Sequence, residues 1–266
     1  MTDNMPDKKL LVNRASHGVV ELTLNRPKVN NALDEALISE LDHTLQALVR
    51  EDARVLILRA RGNHFSAGAD IGWMQKAQTL TQQENYQDAL KLASFLKRLS
   101  RFPAPVITAV QGAAYGGALG LIAASDITVA ADNSRFCFSE VKLGLIPSVI
   151  SPYVISAMGA RQARRYFLTA EVFDATEANA LGLVHQICDL DGLNHHVDTL
   201  VSHLLKGGPV AHNNVKKMMG EVTRQPFSDE LMALTAKRIA AIRITEEATE
   251  GLGAFFDKRK PKWDAS

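Results

Sequence analysis

Short apolar segments that suit β-strands alternate with helical repeats through the first 190 residues of this 266-residue chain. The strand-like segments are residues 19–25, 54–60, 105–110, 126–131 and 183–188. Helical spacing recurs between them in two sets, Leu33, Leu37, Leu41, Leu45 and Leu48, and Tyr86, Leu90, Ala93 and Leu96. Because strands joined through helices pair in parallel, this alternation predicts an α/β architecture.

The sequence changes character near residue 191. From there almost every segment has helical periodicity, and the breaks fall at Gly207-Gly208-Pro209 and at Gln225-Pro226. We therefore expect an α/β core over residues 1–190 and a helical C-terminal region over residues 191–266. A helical region of this kind serves oligomerisation in some proteins and only covers the core in others. The pattern leaves both roles open.

Composition argues against several classes of protein. The formal net charge of +1 gives no general attraction to nucleic acid, although a local basic patch stays open. The two cysteines are too few for a disulfide framework, and the eight histidines lack metal-ligand spacing. The N-terminus, MTDNMPDKKL, has no apolar region of the signal-peptide kind, and no apolar run reaches membrane-spanning length. We predict a soluble cytoplasmic protein without a metal.

Two loops between a strand and a helix are unusually rich in small residues, HFSAGADIGWM (residues 64–74) and QGAAYGGALGLIAASD (residues 111–126). Backbone N–H groups at the start of a helix are free to bind an anion. One such group from each loop, aimed at the same carbonyl oxygen, would form an oxyanion hole. Taken singly, either loop is more simply explained as a tight turn that needs glycine.

One acidic residue lies in apolar surroundings. Glu140 is flanked by Phe136, Phe138, Val141 and Leu143 in RFCFSEVKLGLIPSVISP, residues 135–152. A carboxyl group buried there would have a raised pKa and would exchange protons near neutral pH. The same sequence is also compatible with a glutamate on the solvent side of a short strand or turn, so the pattern does not decide whether Glu140 is buried.

These three segments resemble the enoyl-CoA hydratase/isomerase (crotonase) superfamily. The resemblance also includes NRPKVNNAL (residues 25–33), AEVFDATEANALGLVHQI (residues 170–187) and FFDKRKPKW (residues 255–263), so it covers essentially the whole chain. It implies a spiral of repeated ββα units, a helical trimerisation region, and homotrimers or homohexamers. It further implies that an acyl-CoA thioester is the substrate and that no separate cofactor is needed, because CoA is part of the substrate.

Carried over by position, the resemblance places the oxyanion hole on the backbone N–H groups of Ala69 and Gly117. Glu140 then matches one of the two catalytic glutamates of the family's hydratases. The residues implied to contact the substrate are Lys28 and Val29 at the nucleotide end of CoA, Ala67, Asp70 and Ile71 along the adenine and pantetheine path, Lys258 at the CoA phosphates, and Tyr115 and Ser148 near the acyl group. Lys258 would act from the same subunit or from a neighbouring one.

The other catalytic glutamate of the family, the first of the two in the chain, would fall at Gly120, which has no side chain. The stretch LIPSVISP also replaces the glycine-rich LIPGxGG that is common in the family, so Ser148, Val149 and Ile150 would reshape the acyl end of the pocket. The usual pair of carboxylates is therefore broken here. We interpret Asp126 as a structural residue, a cap or an ion-pair partner, and His64 as a loop-surface residue.

Three hypotheses follow. In the first, the protein is a hydratase for an unusual acyl group, because its motifs look like those of bacterial 3-methylglutaconyl-CoA hydratases of leucine degradation and their γ-carboxygeranoyl-CoA relatives. Gly120 would then leave space, Glu140 would be the acid/base, and Ser148 or the substrate carboxylate would hold water. In the second, Glu140 alone supports double-bond isomerisation or decarboxylation. In the third, the protein binds CoA esters or RNA with little catalysis.

Overall fold

The computed structural model describes residues 8–223 and 225–264, and a six-stranded sheet forms its centre. The nine strands are β1 Leu10–Arg14, β2 Val19–Leu24, β3 Val55–Ala60, β4 Val106–Val110, β5 Ala113–Tyr115, β6 Ile127–Ala131, β7 Arg135–Cys137, β8 Phe173–Asp174 and β9 Gln186–Cys188. The large sheet has the order β1-β2-β3-β4-β6-β9, and all its pairs are parallel except β1 with β2. Each predicted strand-like segment contributes one of its strands.

A second sheet, of order β5-β7-β8, forms another layer. Strands β4 and β6 each lead within a few residues into a strand of this sheet, β5 and β7. Strand β3 does the same with the single residue Ser66, which bridges Ala114 of β5. The chain thus forms one strand in the large sheet and then one in the second sheet before it enters the next helix, and it repeats this order. The predicted α/β spiral of ββα units is confirmed.

Eleven helices complete the described part of the chain. They are α1 Glu35–Arg50, α2 Ile71–Ala77, α3 Gln82–Ser100, α4 Gly117–Ala124, α5 Ser151–Met158, α6 Ala160–Thr169, α7 Ala175–Ala180, α8 Leu193–Leu205, α9 Pro209–Val222, α10 Asp229–Arg243 and α11 Glu246–Phe256. Among these described residues no helix is both long and apolar enough to cross a membrane. Residues 1–7, on which most of the predicted absence of a signal peptide rests, lie outside the description.

The two predicted helical repeats have different outcomes. In α1 the leucines at positions 37, 41, 45 and 48 are all buried, and Asp34 caps the helix by accepting the N–H of Leu37. The repeat ends there, because Leu33 lies before the cap. In α3 the N-terminal half is not core: Tyr86 is exposed, and burial begins only at Phe95 and Leu96.

Helix α8 packs against the large sheet. Its residue Val197 is fully buried in a cluster with Ile57, Ile107 and Val129, which belong to three neighbouring strands. This helix is the first after the predicted boundary at residue 190, and it covers the core. Covering the core is one of the two roles that the sequence left open for the helical region. The change in sequence character at residue 191 marks the end of the strands and does not mark the end of the packed core.

Helix α9 is tied to the core by a partly buried ion pair. The Lys216 ammonium lies 2.5 Å from the Asp126 carboxylate and also donates to the Ala104 carbonyl. Asp126 in turn accepts the N–H of Val106, which begins β4. Burial raises the pKa of Asp126 and lowers the pKa of Lys216, and the attraction between them opposes both shifts. The interpretation of Asp126 as an ion-pair partner is confirmed.

Candidate active site

The two glycine-rich loops lie side by side, each held by backbone hydrogen bonds. Leu33 donates to the Gly68 carbonyl at 2.7 Å, and Asp70 donates back to the Leu33 carbonyl at 2.9 Å. On the other side, the Tyr115 N–H donates to Ser66 at 3.0 Å. The first loop is therefore clamped between the segment that precedes α1 and strand β5.

Glycine is required at two positions where these loops meet. Gly68 has φ +90°, and a Cβ there would lie 2.7 Å from the Tyr115 carbonyl oxygen. Gly116 has φ +51° and ψ −123° and donates its N–H to Cys137 at 2.9 Å. L-residues rarely adopt these conformations, and only glycine allows the close backbone approach. The two glycines thus allow the backbones of the two loops to pack closely against each other.

Two backbone N–H groups remain unused at this junction. Within the described residues, neither Ala69 nor Gly117 donates its N–H to a protein acceptor. Gly117 is the first residue of α4, so its N–H has no partner within the helix. Both residues line the same two cavities. Unsatisfied donors of this kind, held by a rigid backbone, are what an oxyanion hole requires.

Two adjoining cavities share this junction. The first has a volume of about 560 Å³, and the second has a volume of about 360 Å³. Both fall in the size range of small-ligand sites. The residues that line both are Ala69, Met74, Gly117 and Glu140. A long ligand could therefore lie across the two free N–H groups and extend into both cavities.

Glu140 faces these cavities from a single 3-10 turn, Glu140–Leu143. Its Oε2 atom is buried and has no hydrogen-bond partner among the described residues. Burial raises the pKa of the carboxyl group, and its own backbone N–H only partly offsets this. Of the two sequence-based interpretations, a carboxyl group in apolar surroundings is therefore the one observed.

The position of the missing glutamate is filled. A Cβ added at Gly120 would overlap the Cγ2 methyl of Ile150 and lie 3.1 Å from the Leu96 side chain. Ile150 is buried, and it occupies a position where the family motif has glycine. The expectation that Gly120 leaves space is wrong, because the isoleucine side chain packs directly onto the glycine backbone.

Among the residues implied to bind substrate, Val29, Ala67, Asp70 and Ile71 line the first cavity, and Ser148 lines the second. Asp70 has other partners as well. It caps α2 by accepting the N–H of Gly72 at 2.9 Å, and it forms an ion pair with Arg26 at 3.0 Å. These contacts position the loop that carries Ala69.

Three implied residues lie outside both cavities: Lys28, Tyr115 and Lys258. Lys28 and Lys258 are exposed, and Lys258 follows α11 with φ +54°. Tyr115 contributes through its backbone, which packs on Gly68. His64 also has a structural contact, because its Nδ1 atom accepts the Ala113 N–H at 3.0 Å and joins the two loops.

Sequence reasoning missed Asn31 and Asp88. Asn31 is fully buried; it accepts the Arg26 N–H at 2.8 Å and donates to the carbonyls of Arg61 and His64. The signal available in the sequence was an asparagine within NRPKVNNAL, because asparagine tolerates a positive φ, and the φ of Asn31 is +52°. Asp88 lines the second cavity from α3, and the helical repeat of Tyr86, Leu90, Ala93 and Leu96 gives no sign of it.

Comparison with known proteins agrees with this geometry. A sequence profile of the enoyl-CoA hydratase/isomerase family matches residues 14–266. The crystal structure of an enoyl-CoA hydratase from Shewanella pealeana is 45% identical, with a TM-score of 0.93 and 96% of each chain covered. Crotonyl-CoA hydratase of Syntrophomonas wolfei is 31% identical over 90% of this chain and 92% of its own. Methylmalonyl-CoA decarboxylase of Escherichia coli is 28% identical over 92% of this chain and 94% of its own. The chain therefore belongs to the enoyl-CoA hydratase/isomerase family and has its crotonase fold.

Proposed function

We propose that this protein adds water across the α,β double bond of an acyl-CoA thioester. Its family makes it a hydratase-type lyase acting on enoyl-CoA thioesters in general. The observation that carries the proposal is the meeting of a buried, unpartnered Glu140 carboxyl oxygen with two free backbone N–H groups. The reaction requires stabilisation of the negative charge on the enolate oxygen and a proton donor beside the α-carbon.

In the proposed reaction the thioester carbonyl oxygen accepts hydrogen bonds from the N–H groups of Ala69 and Gly117. Attack of water at the β-carbon moves the double-bond electrons towards this oxygen and forms an enolate. Donors that are already in place stabilise the enolate more than the neutral thioester, because its oxygen carries more charge. Removal of one such donor typically lowers the rate by about two to three orders of magnitude.

Glu140 delivers the proton to the α-carbon of the enolate. A carboxyl group can act as an acid near neutral pH only if its pKa is raised, and burial raises the pKa of Glu140. The rate of hydration is therefore expected to fall as pH rises through the raised pKa, because the ionised carboxylate has no proton to give.

The first cavity suits the pantetheine arm of CoA, with Val29, Ala67 and Ile71 along its sides. We propose that Lys28 and Lys258 reach the phosphates at its exposed end. CoA is part of the substrate, so the proposed reaction needs no further cofactor. The cytoplasmic location expected from the sequence stays a prediction.

A homotrimer, or a hexamer of two trimers, belongs to the same proposal. Helices α9 to α11 contribute only two buried residues to the described chain, Leu231 and Ala254. Their large exposed apolar residues are Val210, Val215, Met219, Met232, Ile239, Leu252, Phe255 and Phe256. Contact with neighbouring subunits would bury this surface.

The sequence favours 3-methylglutaconyl-CoA as the substrate, which would place the protein in leucine degradation. That acyl group carries a distal carboxylate. Asp88 lines the second cavity, and among the described residues that line it there is no lysine or arginine. Because like charges within one site repel each other, this observation favours a second candidate, an uncharged branched or linear acyl group.

A hydration assay that follows thioester absorbance tests both candidates. We expect wild-type protein to hydrate at least one of 3-methylglutaconyl-CoA, 3-methylcrotonyl-CoA and crotonyl-CoA, with kcat falling on the alkaline side. Preference for the first substrate would assign the leucine pathway, and preference for the others would assign an uncharged acyl group. Double-bond migration or CO₂ release without hydration would contradict the hydratase and support the single-acid alternative.

Substitution of Gly68 by alanine is expected to lower kcat by about 10²-fold or more, because it displaces one oxyanion-hole donor. The new Cβ would lie 2.7 Å from the Tyr115 carbonyl and push the loop that carries Ala69 away from Gly117. Gly159→Ala is the matched control, since Gly159 also has positive φ but has open space around it. Equal activity of the two variants would contradict the role of the loop contact.

A further inference from the structure

We propose that Asp88 supplies the second carboxylate of the hydration reaction, in place of the glutamate that is absent at position 120. This inference rests on the proposed hydratase activity. Asp88 lies on α3, and the residues Asn85, Asp88, Ala89 and Leu92 line the second cavity from one face of that helix. The same cavity is lined by Ala69, Gly117 and Glu140, so Asp88 faces the same cavity as the reacting groups.

The reaction needs a group that holds and deprotonates water, and few candidates line this cavity. The position at 120 is closed by Ile150. The side-chain N–H groups of Asn85 are already donated to the carbonyls of Ala77, Leu80 and Thr81. The Ser148 hydroxyl can hold a water molecule by a hydrogen bond, but it is too weak a base to take a proton from it. Among the described lining residues, Asp88 and Glu140 are the two that ionise.

The Asp88 carboxylate is available for a ligand. Its side chain is 16% exposed, and its ion pair with Lys91 is long, at 3.9 Å. Lys91 makes a closer contact with Glu35 on the neighbouring helix. No hydrogen bond to the Asp88 side chain is formed within the described residues, so its oxygens can accept both protons of a water molecule.

The proposed step balances as follows. The water oxygen forms a bond to the β-carbon while one of its O–H bonds breaks and the proton passes to Asp88. The π electrons of the double bond move into the enolate at the two free N–H groups, and Glu140 gives its proton to the α-carbon. The proton on Asp88 then returns through solvent to Glu140, which restores both groups.

This role also bears on the acyl group. If Asp88 holds the water, the substrate does not need a carboxylate of its own for that purpose. A distal carboxylate in the same cavity would compete with the water for space and would be repelled by Asp88. Of the two candidate substrates, the inference therefore predicts the one with an uncharged acyl group.

Asp88→Asn is the test, with two readouts. Hydration kcat is expected to fall by about 10²-fold or more, which is the usual contribution of a positioned base. Exchange of the α-protons of a saturated thioester, butyryl-CoA, in D₂O needs only Glu140 and the oxyanion hole. We expect this exchange, followed by NMR, to stay near the wild-type rate in Asp88→Asn and to disappear in Glu140→Gln.

Lys91→Gln is the matched control, because it removes the ion-pair partner and keeps the carboxylate. Its hydration rate is expected to stay within about fivefold of wild type, as an exposed ion pair is worth at most about 1 kcal/mol. Wild-type hydration by Asp88→Asn, or loss of exchange together with hydration, would overturn the inference. Absence of hydration by the wild type would instead contradict the proposed function.

Discussion

Substitution of Glu140 by glutamine is expected to lower kcat for hydration by about 10³-fold. The amide keeps the size and most of the shape of the side chain but has no acidic proton to give to the α-carbon. General acids contribute about 10²- to 10⁴-fold, and this carboxyl group faces the junction of both cavities with one oxygen unpartnered. Thioester absorbance with the best substrate of the wild type measures the loss.

The same variant has a stability signature that separates chemistry from misfolding. The pKa of Glu140 is raised by burial, so ionisation of this group costs stability in the folded protein. Wild type and Glu140→Gln should therefore be equally stable below the ordinary pKa of glutamate. As pH rises through the raised pKa, only wild type loses stability, and Tm of the variant should become the higher one. A lower Tm of Glu140→Gln at every pH would indicate a structural role.

Substitution of Gly120 by glutamate is expected to destabilise the protein by about 3 kcal/mol or more. Overpacking of a closed core typically costs about 1–3 kcal/mol, and burial of an unpaired carboxyl group adds to that. Gly120 is buried in α4, and any side chain there meets Ile150 and Leu96. Urea unfolding of the purified protein measures the change in the free energy of unfolding.

The double variant Gly120→Glu with Ile150→Gly tests the cause. Ile150→Gly alone should be destabilising, because it leaves a cavity. If the two side chains compete for one space, the double variant should be more stable than the sum of the single effects predicts, by at least about 1 kcal/mol. Additive effects would show that Ile150 is not what closes the site. Ile150→Val serves as the conservative control.

The strands and helix α1 were predictable because they depend on the local sequence pattern. The leucines of α1 are spaced for one buried face, and Asp34 stands where a cap is needed. Strands β3 and β4 have the sequences VLILRA and VITAV, and such mainly apolar runs suit a parallel sheet covered on both faces. The two glycine-rich loops were also visible, because positive φ and close backbone approach leave glycine as the suitable residue.

The acyl end of the site was not predictable in the same way. Whether Gly120 faces space or a side chain depends on Ile150, which is 30 residues further along the chain. Asp88 belongs to a helix whose apolar repeat suggested a buried face, whereas its N-terminal half lines a cavity. Such facts depend on how distant elements pack, and no periodicity in the sequence encodes them.

The ion pair between Asp126 and Lys216 also has a consequence for synthesis of the chain. Its members are 90 residues apart, so the ribosome completes Asp126 about 5 to 20 seconds before its partner. Until then the carboxylate has only the Val106 N–H as a partner beside β4. This ion pair cannot form until Lys216 has been synthesised, so the contact that ties α9 to the core is completed late in synthesis of the chain.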